Sequence, residues 1–119
     1  MLPRVPPLPS ELTNVYTSAY SYMPFSWDPE KSEENYRLRG FDFAFASAIF
    51  DGPTLERKDN RLDYGEVRVA AIGLADGLEL TVIYTDRPEP GQAVERRIIS
   101  ARRSNRRERR AYQASLQAK

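Results

Sequence analysis

The chain of 119 residues contains no cysteine and no histidine. Without cysteine it has no disulfide and no thiolate metal site. Without histidine it lacks the commonest general base and the commonest zinc ligand, so Ser-His-Asp chemistry and a His-bound metal are excluded. No apolar run reaches the roughly 20 residues of a membrane-spanning helix. The opening Met-Leu-Pro-Arg-Val-Pro-Pro-Leu-Pro lacks the apolar core of a secretory signal. A cytoplasmic protein with no membrane attachment is expected. What is present is an ordinary globular balance, 40% apolar and 29% charged, at a mass of 13.7 kDa. That size fits one domain with one core.

The net charge of +1 conceals a division along the chain. Residues 96–119 hold Arg96, Arg97, Arg102, Arg103, Arg106, Arg107, Arg109, Arg110 and Lys119 against a single acid, Glu108. Every other acid lies upstream. Such polarity suits a basic surface for a polyanion and an acidic remainder; the plain alternative is a solvated tail.

Residues 1–24 read as a proline-rich arm and residues 25–119 as the domain. Pro3, Pro6, Pro7 and Pro9 prevent a helix at the start and make a poor central strand. The tyrosines at 16, 20 and 22 show no period, and could pack on the domain or on a partner. Asp28-Pro29-Glu30 combines an N-cap oxygen, a proline for the first turn and an acid at the positive dipole end. That helix should stop at Gly40. Asp42 can cap a second helix with Phe43, Ala46, Ser47 and Phe50 on one face, ended by Asp51-Gly52-Pro53. Strands follow over 66–75, 78–86 and 94–102, the first two joined by the hairpin pair Asp76-Gly77. From Ser104, the expected cap, the pattern is helical again. The result is an α+β fold, a small antiparallel sheet with two N-terminal helices and one C-terminal helix.

A two-residue loop lets the register be counted outward. Ala75 faces Leu78, Ala71 faces Val82 and Val69 faces Tyr84; beyond them Arg68 faces Thr85 and Glu66 faces Arg87. One sheet face then shows Val67, Val69, Ala71, Leu80, Val82 and Tyr84, and belongs against helices. There Tyr84 is a weaker catalytic candidate, with a packing role favoured over it. The other face shows Ala70, Ile72 and Ile83, with Glu66, Arg68, Thr85 and Arg87 at its open end. As structure this is a cross-strand ion pair. As a site, two arginines bind a phosphodiester while a glutamate handles a proton. Arg106 and Arg107 occupy the first turn of the last helix, where the dipole favours anions, and a phosphate there would satisfy both amides and arginines.

Several segments together resemble the BrnT family, the toxin halves of type II toxin–antitoxin pairs. They are Trp27-Asp28-Pro29-Glu30-Lys31, Asn35, Gly40, Phe43 and Phe50-Asp51; Gly65-Glu66-Val67-Arg68 leading to Ile72-Gly73; and Val82-Ile83-Tyr84-Thr85 with Arg87. The most specific part is Arg97-Ile98-Ile99-Ser100-Ala101-Arg102-Arg103, then Arg106-Arg107-Glu108-Arg109-Arg110 and Tyr112. The resemblance runs from residue 25 to about 113.

It implies a RelE-like fold with helices packed on one side of a twisted sheet. It further implies a metal-independent endoribonuclease, without cofactor, that cleaves mRNA and stops translation. Its partners would be RNA and a cognate ribbon-helix-helix antitoxin resembling BrnA, with operator DNA reached only through the antitoxin complex. In such nucleases arginines, with a tyrosine, lysine or carboxylate nearby, orient the 2′-hydroxyl and stabilise the charge that develops. The expected catalytic set is Glu66, Arg68, Arg87 and Arg97. The expected RNA-binding set is Arg39, Ser100, Arg102, Arg103, Arg106 and Arg107, all on one surface. Family members carry Lys-His-Gly where this chain has Leu38-Arg39-Gly40. Arginine keeps the charge but cannot act as a base near neutral pH. An alternative therefore stands beside the nuclease, a non-catalytic module that binds antitoxin or nucleic acid.

Overall fold

The computed structural model describes residues 13–16, 24–60, 65–88, 91 and 94–117. Helix α1, Pro29–Arg39, starts where Asp28 Oδ1 accepts the Glu30 N–H at 2.9 Å. It ends at Gly40, whose φ of 87° is the left-handed cap that glycine adopts without strain. The single helix expected after Asp42 is divided. A short α2, Phe43–Ala46, is capped by Asp42 Oδ1 on the Phe45 N–H at 2.8 Å and tightens into a 3₁₀ turn, Ser47–Asp51. The tighter winding buries the adjacent Ile49 and Phe50 together.

Among the described residues six strands form one sheet, in the order β1-β3-β4-β5-β6-β2. β3 (Pro53–Lys58), β4 (Val69–Ala75), β5 (Leu78–Arg87) and β6 (Glu95–Arg103) run as an antiparallel meander. β1 (Thr13–Tyr16) pairs antiparallel with the outer edge of β3, and β2 (Phe25–Trp27) pairs parallel with β6. β1 lies within the segment expected to be an arm; Tyr20 and Tyr22 fall outside the described residues. The hairpin turns at Asp76 (φ 49°) and Gly77 (φ 80°), and Ala75–Leu78, Ala71–Val82 and Val69–Tyr84 pair as counted from the sequence.

The main core sits on one face, where Phe43, Ala46, Ile49 and Phe50 pack on Ala71, Val82, Tyr84, Ile98 and Ala101. Helix α3, Arg106–Gln117, lies on the other face. There Tyr112 packs with Leu55 and Ile72, and its hydroxyl donates to the Pro53 carbonyl at 2.8 Å. The resemblance had implied helices on one side only; Leu55 and Ile72 give the second face an apolar seat of its own. The α3 cap is Asn105 rather than Ser104. Asn105 Oδ1 accepts the Glu108 N–H, and a Glu108 carboxylate oxygen accepts the Asn105 N–H, each at 2.8 Å. Ser104 is buried and shares a 2.8 Å hydrogen bond with Thr81.

Candidate nucleic-acid interface

The β5–β6 register breaks between Ile83 and Tyr84. Ile83 faces Ser100, whereas Tyr84 faces Ile98, so Ile99 is an extra residue in β6. This bulge resets which side each later residue occupies. Ala101 and Ile98 both enter the core, while Arg97, Ser100 and Arg102 share the α3 face with Thr85, Ile83 and Thr81. An unbroken alternation would place Arg97 on the core side.

At the open end of this face Arg68 Nε meets Glu66 Oε2 at 3.2 Å, with side chains 24% and 33% exposed. This is a contact within one segment and not the cross-strand pair of Glu66 with Arg87 counted from the hairpin. β4 begins at Val69, so neither Arg68–Thr85 nor Glu66–Arg87 forms a strand pair. The chain bends at Gly65 (φ 72°), Thr85 Oγ1 donates to the Val67 carbonyl at 2.7 Å, and the Arg68 carbonyl accepts the Asp59 N–H at 2.8 Å. Thr85 in turn faces Arg97. Arg87 lies on this same face, two residues beyond Thr85 and opposite Glu95 on β6, but no ion pair links it to Glu66 among the described residues.

Arg102 joins this face to α3. Its two terminal nitrogens donate to the two Glu108 oxygens at 2.7 and 2.8 Å. Burial alone would raise the Glu108 carboxyl, but the Arg102 bonds and the Asn105 N–H outweigh it and hold the group below its ordinary value. The negative charge expected at this helix start is therefore supplied by the chain's own carboxylate, with Arg106 and Arg107 exposed around it. Arg39 and Arg103 do not share the surface of Arg97. Arg103 falls on the opposite side of β6 from Arg102, and Arg39 Nη1 donates to the Ala101 carbonyl at 2.7 Å, closing the β6 edge where β2 has ended.

Sequence reasoning missed one buried network. Arg96 donates to both Asp86 oxygens at 2.8 and 2.9 Å, and its guanidinium lies 4.0 Å from the Tyr84 ring centre and 4.8 Å from that of Phe50. The Tyr84 hydroxyl donates to Glu56, which also accepts from Thr54 at 2.7 Å. Burial, reinforced by the Glu56 charge, pushes the Tyr84 hydroxyl far above its ordinary value. A phenol so held does not exchange protons at neutral pH, in accord with the packing role read from the hairpin. Nothing in a run of arginines marks Arg96 as the one that stacks on core aromatics; only the bulge decides it. Among the described residues no group of three acidic, histidine or cysteine side chains could hold a metal, and no helix is long and apolar enough to cross a membrane.

One protein family, described as the ribonuclease toxin BrnT of type II toxin–antitoxin systems, matches residues 27–108. The chain belongs to the BrnT family. Comparison with curated proteins finds no match. The matched span holds every candidate residue from Arg39 to Arg107 and ends at Glu108, the acid that closes the α3 cap. Membership makes the chain a ribonuclease toxin by family, with RNA as the target and an antitoxin as partner. The BrnT fold here is the expected α+β arrangement, antiparallel except for the β2–β6 pair.

Proposed function

We propose that this BrnT toxin is an endoribonuclease that cuts mRNA and so stops translation, working in the cytoplasm without a metal. The observation that supports the reading is the bulge at Ile99, which turns Arg97 onto the face of Thr85, whose hydroxyl bonds the Val67 carbonyl between Glu66 and Arg68. Glu66 accepts the proton of a 2′-hydroxyl as that oxygen attacks the adjacent phosphorus. Arg68 and Arg97 neutralise the charge that builds on the phosphoryl oxygens, with Arg87 engaging the phosphate from the end of β5. The bond to the 5′ oxygen breaks, water protonates that oxygen, and a 2′,3′-cyclic phosphate remains. Ser100, Arg102, Arg106 and Arg107 hold the flanking backbone toward α3. The antitoxin would be a ribbon-helix-helix protein resembling BrnA, through which the complex reaches operator DNA.

The test is incubation of purified protein with single-stranded RNA in EDTA. Fragments ending in cyclic phosphate are expected, and Glu66→Gln should slow their appearance about 10²–10³-fold, the scale of one lost preorganised group. A second reading, a binding module that no longer cuts, is favoured by Arg39, whose guanidinium is engaged with a backbone carbonyl where the family carries histidine. Wild-type protein that binds RNA yet leaves it intact supports that reading.

A further inference from the structure

Helix α1 is attached to the domain in an unusual way. A surface helix normally docks through its large apolar side chains. In α1 the buried residues are Ser32 and Asn35, while Tyr36 is 61% exposed and Leu38 is 73% exposed. Polar bonds hold the helix instead. Ser32 Oγ accepts the Phe43 N–H, Asn35 Nδ2 donates to the Phe41 carbonyl, both at 2.9 Å, and Arg39 reaches Ala101. The two large apolar side chains of α1 therefore contribute little to folding.

They border two clefts that share Arg39 as a wall. One, of about 350 Å³, is lined by Tyr36, Phe41, Phe45, Leu78 and Arg103 among others. The second, of about 220 Å³, is lined by Leu38 and Ile99 with Lys31, Glu34 and Ser100 among others. Asp42, the carboxylate of the first cleft, is engaged in capping α2. Neither Arg39 nor Arg103 forms an ion pair among the described residues. Exposed apolar groups beside cations without carboxylate partners match a protein segment bearing apolar and acidic side chains. Bare RNA would leave Leu38 without a partner of its kind.

We infer that the α1 C-terminal turn and the clefts beside Arg39 and Arg103 are where the antitoxin docks, through a segment that presents apolar side chains flanked by carboxylates. The inference rests on the toxin reading for the existence of the partner. Apart from Ser100 at the rim of the second cleft, it places that contact on the other side of β6 from Arg97 and Arg102. Contact with the antitoxin and contact with RNA are then separable by mutation.

The experiment compares wild type with Tyr36→Glu/Leu38→Glu, full-length, in binding to purified cognate antitoxin and in RNA cleavage. Glutamate is a good helix former and repels an acidic partner. Antitoxin affinity should fall about 100-fold or more, as when central anchors of an interface are lost, with RNA cleavage within about twofold of wild type. Cells making the variant would then resist neutralisation by antitoxin. If the glutamates lower the melting temperature, Tyr36→Ala/Leu38→Ala provides the same comparison with a smaller loss. Antitoxin binding at wild-type strength overturns the assignment. So does a loss confined to RNA affinity, which would make the patch an RNA surface. Wild type that binds antitoxin but never cuts RNA overturns the nuclease reading and leaves this docking surface standing.

Discussion

Arg97 and Ser100 share one face of the sheet although they are three residues apart, because Ile99 between them is bulged out of register. In a regular strand residues at odd separation point to opposite sides. The bulge thus groups the polar residues of β6 on the α3 face while keeping Ile98 and Ala101 buried.

Arg97→Ala and Arg68→Ala should each slow RNA cleavage about 10²–10³-fold while costing at most about 1 kcal/mol of stability. Arg87→Ala should cost less than tenfold or so, since Arg87 faces Glu95 and not Glu66. Cleavage rates and thermal melts on the three variants check this. An Arg87 variant more damaged than the Arg68 variant would move the scissile phosphate to the end of β5.

RNA affinity should fall steeply with salt. With about four to six phosphates engaged on a single strand, the log–log slope should be near −3 to −4. Titrations at several salt concentrations measure it. A slope near zero would mean that the basic residues of β6 and α3 serve another purpose.

Acid should loosen α3 through Glu108. Its carboxyl is held below the ordinary 4.5 in the folded chain, so its contribution is complete above that value and is lost as pH falls through the lower, folded-state value. Glu108→Gln should cost about 1 kcal/mol near neutral pH, as for a lost cap, and its melting temperature should depend less on pH below about 4.5. Parallel melting curves for the two proteins across that range would contradict it.

Gly73→Ala should destabilise the core. An added Cβ would stand 2.8 Å from Ile49 Cβ and 3.2 Å from Thr54 Cγ2, where the 3₁₀ turn presses on β4. A loss of about 1–3 kcal/mol is expected, as for other overpacked sites, read by denaturant unfolding. An unchanged midpoint would show that the turn can lift without cost.

Removing residues 1–22 should leave one cooperative unfolding transition, because among the described residues the main core cluster and its packed neighbours begin at Phe25. Loss of β1 opens the edge of β3, so the shortened protein should associate at high concentration. A broad, non-cooperative melt would make β1 part of the folding unit.

Local chemistry in the sequence determined α1 with both its caps, the Asp76-Gly77 hairpin with its register as far as Val69–Tyr84, and the burial of Tyr84. Each depends on residues close in the chain or linked by one two-residue loop, so spacing alone suffices. Strands β1, β2 and β3 were not legible, because short strands gain their pairing from distant partners and not from their own pattern. The tertiary structure alone decided the rest. It divided the run of arginines in β6, stacking Arg96 on Tyr84 and Phe50 while a one-residue bulge carried Arg97 to the opposite face. It tied Arg102 to Glu108 and drew Arg39 to the sheet edge. A bulge costs one unpaired residue and is recovered only through packing on both sides of the sheet, which no stretch of sequence contains by itself.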